Sequence, residues 1–384
     1  MTRQSLTNVA GEAGTARRGD EGAPRPRAGD ARAWLEIDLA ALRRNAAAIA
    51  RRAGVPLLPM VKADAYGLGA LPVVGALEAL APWGYGVATV AEGAELREAG
   101  VGRPVLVFTP LLAAGFPAAR HARLTPVLGA PSSIAGWLDS GGGPWHLGID
   151  TGMSRAGARW DGLAAVRGLV ERARPEGACT HFHSAPAGDD SRDEQERRFA
   201  SALGGLGLGD VLLHAENSAA LERRAPSRWS VARPGIFLYG VGVGGAEIRP
   251  EPVVALRARV VELRALAAGD TVSYDATWNA SGARRVATLA AGYADGYRRA
   301  LSNRGVALVN GARSPVLGLV TMDMTMVDVT DAPCAIGDVA TLIGRDGDAL
   351  IEVADVARAG DLSPYEVLTA LRSRVPRRYG AVEA

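Results

Sequence analysis

Lysine is almost absent from this chain: 43 basic residues resolve into 42 arginines and one lysine, Lys62. Cysteine is nearly as scarce. Cys179 and Cys334 lie far apart, without metal-type spacing, which excludes a disulfide scaffold and fits a reducing, cytoplasmic setting. Excess charge is missing too. A formal net charge of +2 over 384 residues excludes the basic surplus of a dedicated nucleic-acid binder. No apolar run approaches the ~18 residues of a membrane span. What is present is a 48% hydrophobic chain, long enough for two domains with cores of their own.

The single lysine is informative because its replacement elsewhere is so thorough. Arginine stays protonated and cannot form an imine; a desolvated lysine can lose its proton and attack a carbonyl. Chance survival of one lysine is the plain alternative, and the surroundings of Lys62 argue against it.

Residues 1–32 are Gly, Ala, Arg and acidic residues with few large apolar side chains, which predicts a disordered extension. Arg17-Arg18 lacks the apolar stretch a twin-arginine signal needs, and Glu12, Asp20, Glu21 and Asp30 argue against a transit peptide. Trp34–Asp38 alternates as a strand, and Asp38 is placed to cap a helix carrying Leu39, Leu42, Ala46 and Ile49. Eight short apolar runs then alternate with helix-length segments: 56–61, 84–88, 105–108, 124–128, 145–149, 178–182, 211–214 and 229–232. Repeated βα units in that number predict a (β/α)8 barrel of the TIM type over 33–245. From 246 to 384 the pattern becomes β-rich, with runs at 253–263, 271–274, 285–290, 305–309, 315–328 and 339–343. Helices return only at 353–359 and 365–373, which predicts a second, mostly β domain.

Lys62 closes the first predicted barrel strand, in Met60-Val-Lys-Ala-Asp-Ala-Tyr-Gly-Leu-Gly69. Barrel active sites sit at that end of the strands, and Tyr66 offers a hydroxyl four residues on. Later strand ends add His146-Leu-Gly-Ile-Asp-Thr-Gly-Met-Ser-Arg-Ala-Gly157, Thr180-His-Phe-His183, His214-Ala-Glu-Asn-Ser218 and Ala232-Arg-Pro-Gly-Ile-Phe-Leu-Tyr-Gly240. Ser218 and the backbone around Gly235 and Ile236 fall where such barrels bind phosphate. Singly, each has a plain structural reading: His181 as a packed histidine, Asn217-Ser218 as a helix cap, Arg155 as one solvated arginine among many, Tyr274 as a strand aromatic. Their joint order along one chain argues otherwise.

From Trp34 to Tyr379 that order resembles the bacterial alanine racemases, fold-type III pyridoxal phosphate (PLP) enzymes. The motifs are Val-Lys-Ala-Asp-Ala-Tyr-Gly, Asp-Thr-Gly-Met-Ser-Arg-Ala-Gly, Asn-Ser, Arg-Pro-Gly-Ile-Phe-Leu-Tyr-Gly, Val-Ser-Tyr, Ala-Gly-Tyr-Ala-Asp-Gly-Tyr and Met-Asp-Met. The resemblance implies a cytoplasmic homodimer with shared active sites, interconverting L- and D-alanine for D-alanine and peptidoglycan-precursor supply. Lys62 would hold PLP and serve as one base, and Tyr274 of the partner subunit as the other. A tyrosine is a weak base near neutrality without cationic or hydrogen-bonding help, which the resemblance assigns to His181 and Arg233. Arg233 would also meet the PLP ring nitrogen, limiting diversion into transamination. Tyr66, Asn217, Ser218, Gly235, Ile236 and Tyr365 would hold the cofactor, and Arg155 with the backbone of Met322 the substrate carboxylate.

This chain departs from the family at three places. Leu68 stands for the usual histidine and Asp64 for the commoner asparagine. Gly148 replaces a lysine that many members carbamylate to orient the carboxylate-binding arginine. The departures bear on activity level and substrate size. The alternatives are a racemase of broader specificity (serine, for example), a D-threonine-aldolase-like lyase and a PLP-binding homeostasis protein. The lyase would need a metal site near the C-terminus. No His/Asp or His/Cys pair is present there, since the last histidine is His214, so no metal is expected. The homeostasis proteins lack a second domain.

Overall fold

The computed structural model describes residues 31–185, 187, 189–243, 247–371 and 373–380. The extension expected at the start falls almost wholly outside them, and so does the expected domain boundary at 245–246.

Parallel strands at Tyr85–Val87, Val105–Val107, Thr125–Leu128, His146–Asp150, Gly177–Cys179 and Leu212–His214 lie side by side in that order. Short runs of Val, Leu and Ala, buried on both faces, suit a parallel sheet covered by helices. The two runs expected at the flanks, 56–61 and 229–232, do not form continuous strands. They close the circle through isolated parallel bridges, Leu57 to Ala232 and Met60 to Gly86. The N–H of Leu58 donates to the Ala232 carbonyl (2.7 Å) and that of Gly86 to Pro59 (2.9 Å). Pro56 and Pro59 lack the N–H that a full ladder requires, so this strand of the TIM-type barrel is reduced to bridges.

Among the described residues the second sheet has nine strands and is mostly antiparallel, in the order 312–315, 306–309, 339–346, 254–266, 33–38, 377–380, with 349–351 on 339–346, 284–289 along the far half of Val254–Leu266, and 325–328 on 284–289. Strand Ala33–Asp38, expected with the barrel, belongs here. It pairs with Val254–Leu266 and, in parallel, with Arg377–Gly380, a terminal strand that local patterning did not reveal. Asp38 then caps helix Leu39–Ala53 by accepting from the Ala40 and Ala41 N–H groups (both 2.8 Å). Leu42, Ala46 and Ile49 are buried, as expected. The run 315–328 is not one strand: it breaks at Gly318 (φ +71°) and at a turn over 321–324. The last strand lays Arg377 and Tyr379 across the loop that follows Lys62.

Candidate active site

Lys62 opens a turn of left-handed backbone. Ala63, Asp64, Ala65 and Tyr66 have φ of 54°, 54°, 51° and 57°. For residues with a Cβ this costs roughly 1–2 kcal/mol each, and it persists only where the surroundings impose it. Here they do. Arg377 donates twice to the Gly67 carbonyl (3.0 and 2.7 Å) and pairs with Asp64 (3.3 Å). Asp64 also accepts from the Ala70 N–H (2.7 Å), and the Tyr379 hydroxyl donates to the Leu68 carbonyl (3.1 Å). Gly69, at φ +96°, packs so closely on the Tyr379 hydroxyl that a Cβ would collide with it. Leu68 is fully buried in the apolar core, so its role is packing.

Lys62 lines a cavity of about 380 Å³ at the C-terminal ends of the strands, with Phe108, Gly148, Asp150, Arg155, His181 and Arg233. Burial, then the nearby Arg155 charge, pushes the Lys62 amine below its ordinary range. Gly148 contributes bare backbone to the wall, and Arg155 reaches in from an exposed position on the loop after His146–Asp150.

Arg233 is buried at the deep end. Its Nη1 donates to His214 Nδ1 (2.8 Å) and its Nη2 to the carbonyls of Thr180 (2.7 Å) and Ala215 (2.9 Å). A guanidinium only donates, so His214 carries its proton on Nε2, and that N–H donates to His146 Nδ1 (2.8 Å). Both imidazoles are therefore neutral. Burial first, then Arg233, holds His146 down at about 4 and His214 well below the usual range. His181 lies with Nδ1 toward Arg233 Nη2 (3.5 Å), and burial with that charge pushes it down to about 3. Gln195, fully buried, clamps this wall. It donates to Thr151 Oγ1 (3.1 Å) and the His181 carbonyl (3.0 Å), and accepts from the His183 N–H (3.0 Å).

On the opposite side, Tyr66 stacks on Tyr239 (centroids 4.6 Å apart) and sits 5.9 Å from the Tyr365 ring. Its hydroxyl lies so close to position 235 that a Cβ there would push the Tyr66 ring out of place. Ser218 Oγ accepts from the Gly235 (2.9 Å) and Phe237 (3.3 Å) N–H groups, leaving its own proton free to donate. Asn217 uses its side chain to cap helix Ser218–Arg223 through the Ala220 N–H (3.0 Å).

Tyr66, Asn217, Ser218, Gly235, Ile236 and Tyr365 do not line the Lys62 cavity, and two further expected site residues stand in the mostly β region. Tyr274 is 71% exposed and Met322 52% exposed, and neither lines the Lys62 cavity. Tyr274 follows Ser273 (φ +66°), whose hydroxyl donates to the Leu319 carbonyl (2.7 Å). Met322 sits in a turn gripped by the Gly292–Tyr297 loop. The N–H groups of Tyr293 and Ala294 donate to the Thr321 and Met322 carbonyls (both 3.0 Å). Buried Asp295 anchors that loop, accepting from Arg32 (2.7 Å), Arg374 (2.7 Å) and the Gly292 N–H (2.9 Å).

Residues 37–242 match the family model for the N-terminal domain of alanine racemase, and residues 253–379 match that for its C-terminal domain. The chain belongs to the alanine racemase family. It is 42% identical over 360 residues to the alanine racemase of Deinococcus radiodurans, covering 91% of this chain and 99% of that one. It is 37% identical over 374 residues to the Symbiobacterium thermophilum alanine racemase (91% and 98%). Among solved structures, Bacillus anthracis alanine racemase with bound L-Ala-P superposes at a TM-score of 0.85, with 30% identity, covering 93% of this chain and 96% of that one. Bartonella henselae alanine racemase with covalently bound pyridoxal phosphate superposes at 0.84, with 28% identity (91% and 99%). The expected family and fold, a TIM-type barrel with a mostly β C-terminal domain, are borne out, and so is the expectation of an enzyme. Nothing in these comparisons supports the lyase alternative. Gln195 lies in none of the motifs, and His146 and Asp295 lie in motifs from which no role for them is read.

Proposed function

We propose that this chain is a PLP-dependent racemase interconverting L- and D-alanine, working in the cytoplasm as a homodimer with shared sites and divided near 245–246 into a barrel and a β domain. The observation that carries the reading is the chain's one lysine, desolvated at a barrel mouth that also holds two arginines. The donor set fits PLP: an amine for the aldehyde, the Ser218 hydroxyl and the backbone near Gly235 and Ile236 for phosphate, and the Tyr66–Tyr365 pair beside them. Asn217 supports that cradle as the cap of the helix behind it. Arg233, held by His214, the Thr180 and Ala215 carbonyls and His181, is the guanidinium that would meet the ring nitrogen.

Bound PLP supplies the electron sink that acidifies the Cα proton of the amino acid. Inversion needs bases on both faces of that carbon. Lys62 holds or returns the proton on one face, and the exposed Tyr274 of the partner subunit on the other. His181, neutral and with Nδ1 toward Arg233, presents an Nε2–H that stabilises the tyrosine's phenolate. Arg155 and the backbone of the partner subunit's Met322 orient the carboxylate. No metal takes part in this reading.

The test is incubation of the full-length protein with PLP and separate L- and D-amino acids in D₂O, following Cα–H loss and chirality together. Deuterium uptake with inversion, fastest on alanine, is expected. Inversion fastest on serine or a larger amino acid would assign a broader specificity to the Gly148 wall. Exchange without inversion would remove Tyr274 from the mechanism.

A further inference from the structure

Glu92 lies outside the set of residues assigned above. It is the third residue of helix Val90–Glu98, where it forms a capping box with Thr89: the Glu92 N–H donates to Thr89 Oγ1 (3.2 Å). A capping glutamate needs one backbone partner. This one has three. Its Oε2 accepts from the N–H groups of Ala88 (2.7 Å) and Thr89 (3.1 Å), and its Oε1 reaches 29 residues back to the N–H of Ala63 (2.7 Å). Ala63 is the first left-handed residue after Lys62. The far end of that turn is tied down by Arg377, Asp64 and Tyr379. Among the described residues, Glu92 is the side chain that holds the Ala63 N–H.

We propose that Glu92 is a positioning residue for Lys62: its carboxylate joins the loops after the first two barrel strands and locks the left-handed turn that aims the Lys62 amine into the cavity. Only a carboxylate meets this need. All three partners are donors and both of its oxygens accept, whereas a glutamine would turn an NH₂ toward one set of N–H groups. Aspartate, one methylene shorter, would have to give up one of the two loops. The proposal deepens the assignment of Lys62 as the amine that holds PLP, and rests on it.

Charge and position make opposite predictions. The Lys62 amine faces Arg155, Arg233, His181, Cys179 and Asp150 across the cavity, with Glu92 behind it. If Glu92 acted only through its charge, removing it would push the amine's pH midpoint further down. If it holds the turn, removing it releases Lys62 to solvent, and the midpoint rises toward that of an ordinary lysine.

Because Lys62 is the sole lysine, trinitrobenzenesulfonate modification of the full-length chain, freed of bound aldehyde with hydroxylamine, reads this side chain directly. Peptide mass analysis separates it from the N-terminal amine. The expected result is a Glu92→Gln midpoint raised by about one pH unit, with Thr89→Ala, which loses only the cap bond, staying at the parent value. A midpoint that falls or stays fixed in Glu92→Gln, or rises equally in Thr89→Ala, overturns the proposal. Should Glu92→Gln not fold, hydrogen exchange of the unmutated chain decides. The Ala63 amide is expected to be strongly protected, and exchange as fast as that of an open loop overturns the proposal. Lys62→Arg tests the underlying assignment separately: covalent PLP retained in that variant would sink the Lys62 reading and leave the Glu92 profile interpretable.

Discussion

The barrel mouth and the β-domain segment proposed to complete it are held by different means. At the barrel mouth the groups are buried, cationic and cross-braced. Arg233 is fixed by two carbonyls and a histidine, and Lys62 by a strained turn with ties to distant elements. In the β domain the side chains of Tyr274 and Met322 stand in solvent: Tyr274 follows the positive-φ Ser273, and the turn of Met322 is held by the Gly292–Tyr297 loop that Asp295 anchors. In the homodimer proposed above, the barrel half brings the charge and the exposed half the second base.

The largest effect should come from the rigid half. Lys62→Ala is expected to abolish the absorbance of lysine-bound PLP and to lower kcat by about 10⁴-fold, the upper range for a general base. Persistent racemisation would leave the barrel mouth without its central role. Tyr274→Phe should keep the cofactor absorbance and lower kcat by about 10²–10³-fold, unequally for the two enantiomers. Mixing the two inactive variants then tests the comparison itself. Random exchange of subunits puts one intact site in each mixed dimer, so activity should recover to about a quarter of the parent's. No recovery after subunit exchange has been verified would mean that Lys62 and Tyr274 serve the same chain.

A smaller effect is expected where the β domain is braced. Asp295→Asn leaves two arginines and the Gly292 N–H facing a poorer acceptor, a loss of about 1–3 kcal/mol. The turn carrying Met322 should loosen and KM for alanine rise about tenfold, with kcat and cofactor absorbance nearly unchanged. A fall in kcat at constant KM would place Asp295 in the chemistry rather than in carboxylate orientation.

Much of this was legible in the sequence, and the gaps have physical causes. Lys62 was visible by counting. His181, Arg233 and Ser218 were visible only through their order along the chain, since none is distinctive alone. The left-handed turn was invisible because such backbone is normally marked by Gly, Asn or Asp, and Ala63, Ala65 and Tyr66 carry no such mark. Its cause is tertiary, in Glu92, Arg377 and Tyr379. For the same reason Trp34–Asp38 read correctly as a strand yet was assigned to the wrong sheet: alternation reports a buried face, not the partner strand. The run 56–61 was apolar enough for a strand, but its two prolines limit it to bridges.

The smallest effect concerns stability, and it belongs to the barrel alone. His146 and His214 are neutral in the fold, with the His214 Nε2–H donating to His146 Nδ1. Protonating His146 would set two N–H groups face to face and add a positive charge behind Arg233. An unfolded chain has no such conflict, so its histidine takes up a proton near pH 6.5 while the folded one waits until about 4. Between those values the unfolded state binds more protons, and stability rises with pH; it is present above about 6.5 and is lost as pH falls toward 4. Glu222 works in the opposite sense. Burial raises its carboxyl to about 7, so its contribution falls as pH climbs from its ordinary range to that value. In urea titrations between pH 4.5 and 7, His146→Asn should flatten the acid-side loss by on the order of 1–2 kcal/mol, and Glu222→Gln should steepen the rise of stability with pH. The same His146 change should leave the Tyr274 loop untouched, as read by hydrogen exchange over 271–276. Equal loosening there would mean that the two halves are mechanically one unit.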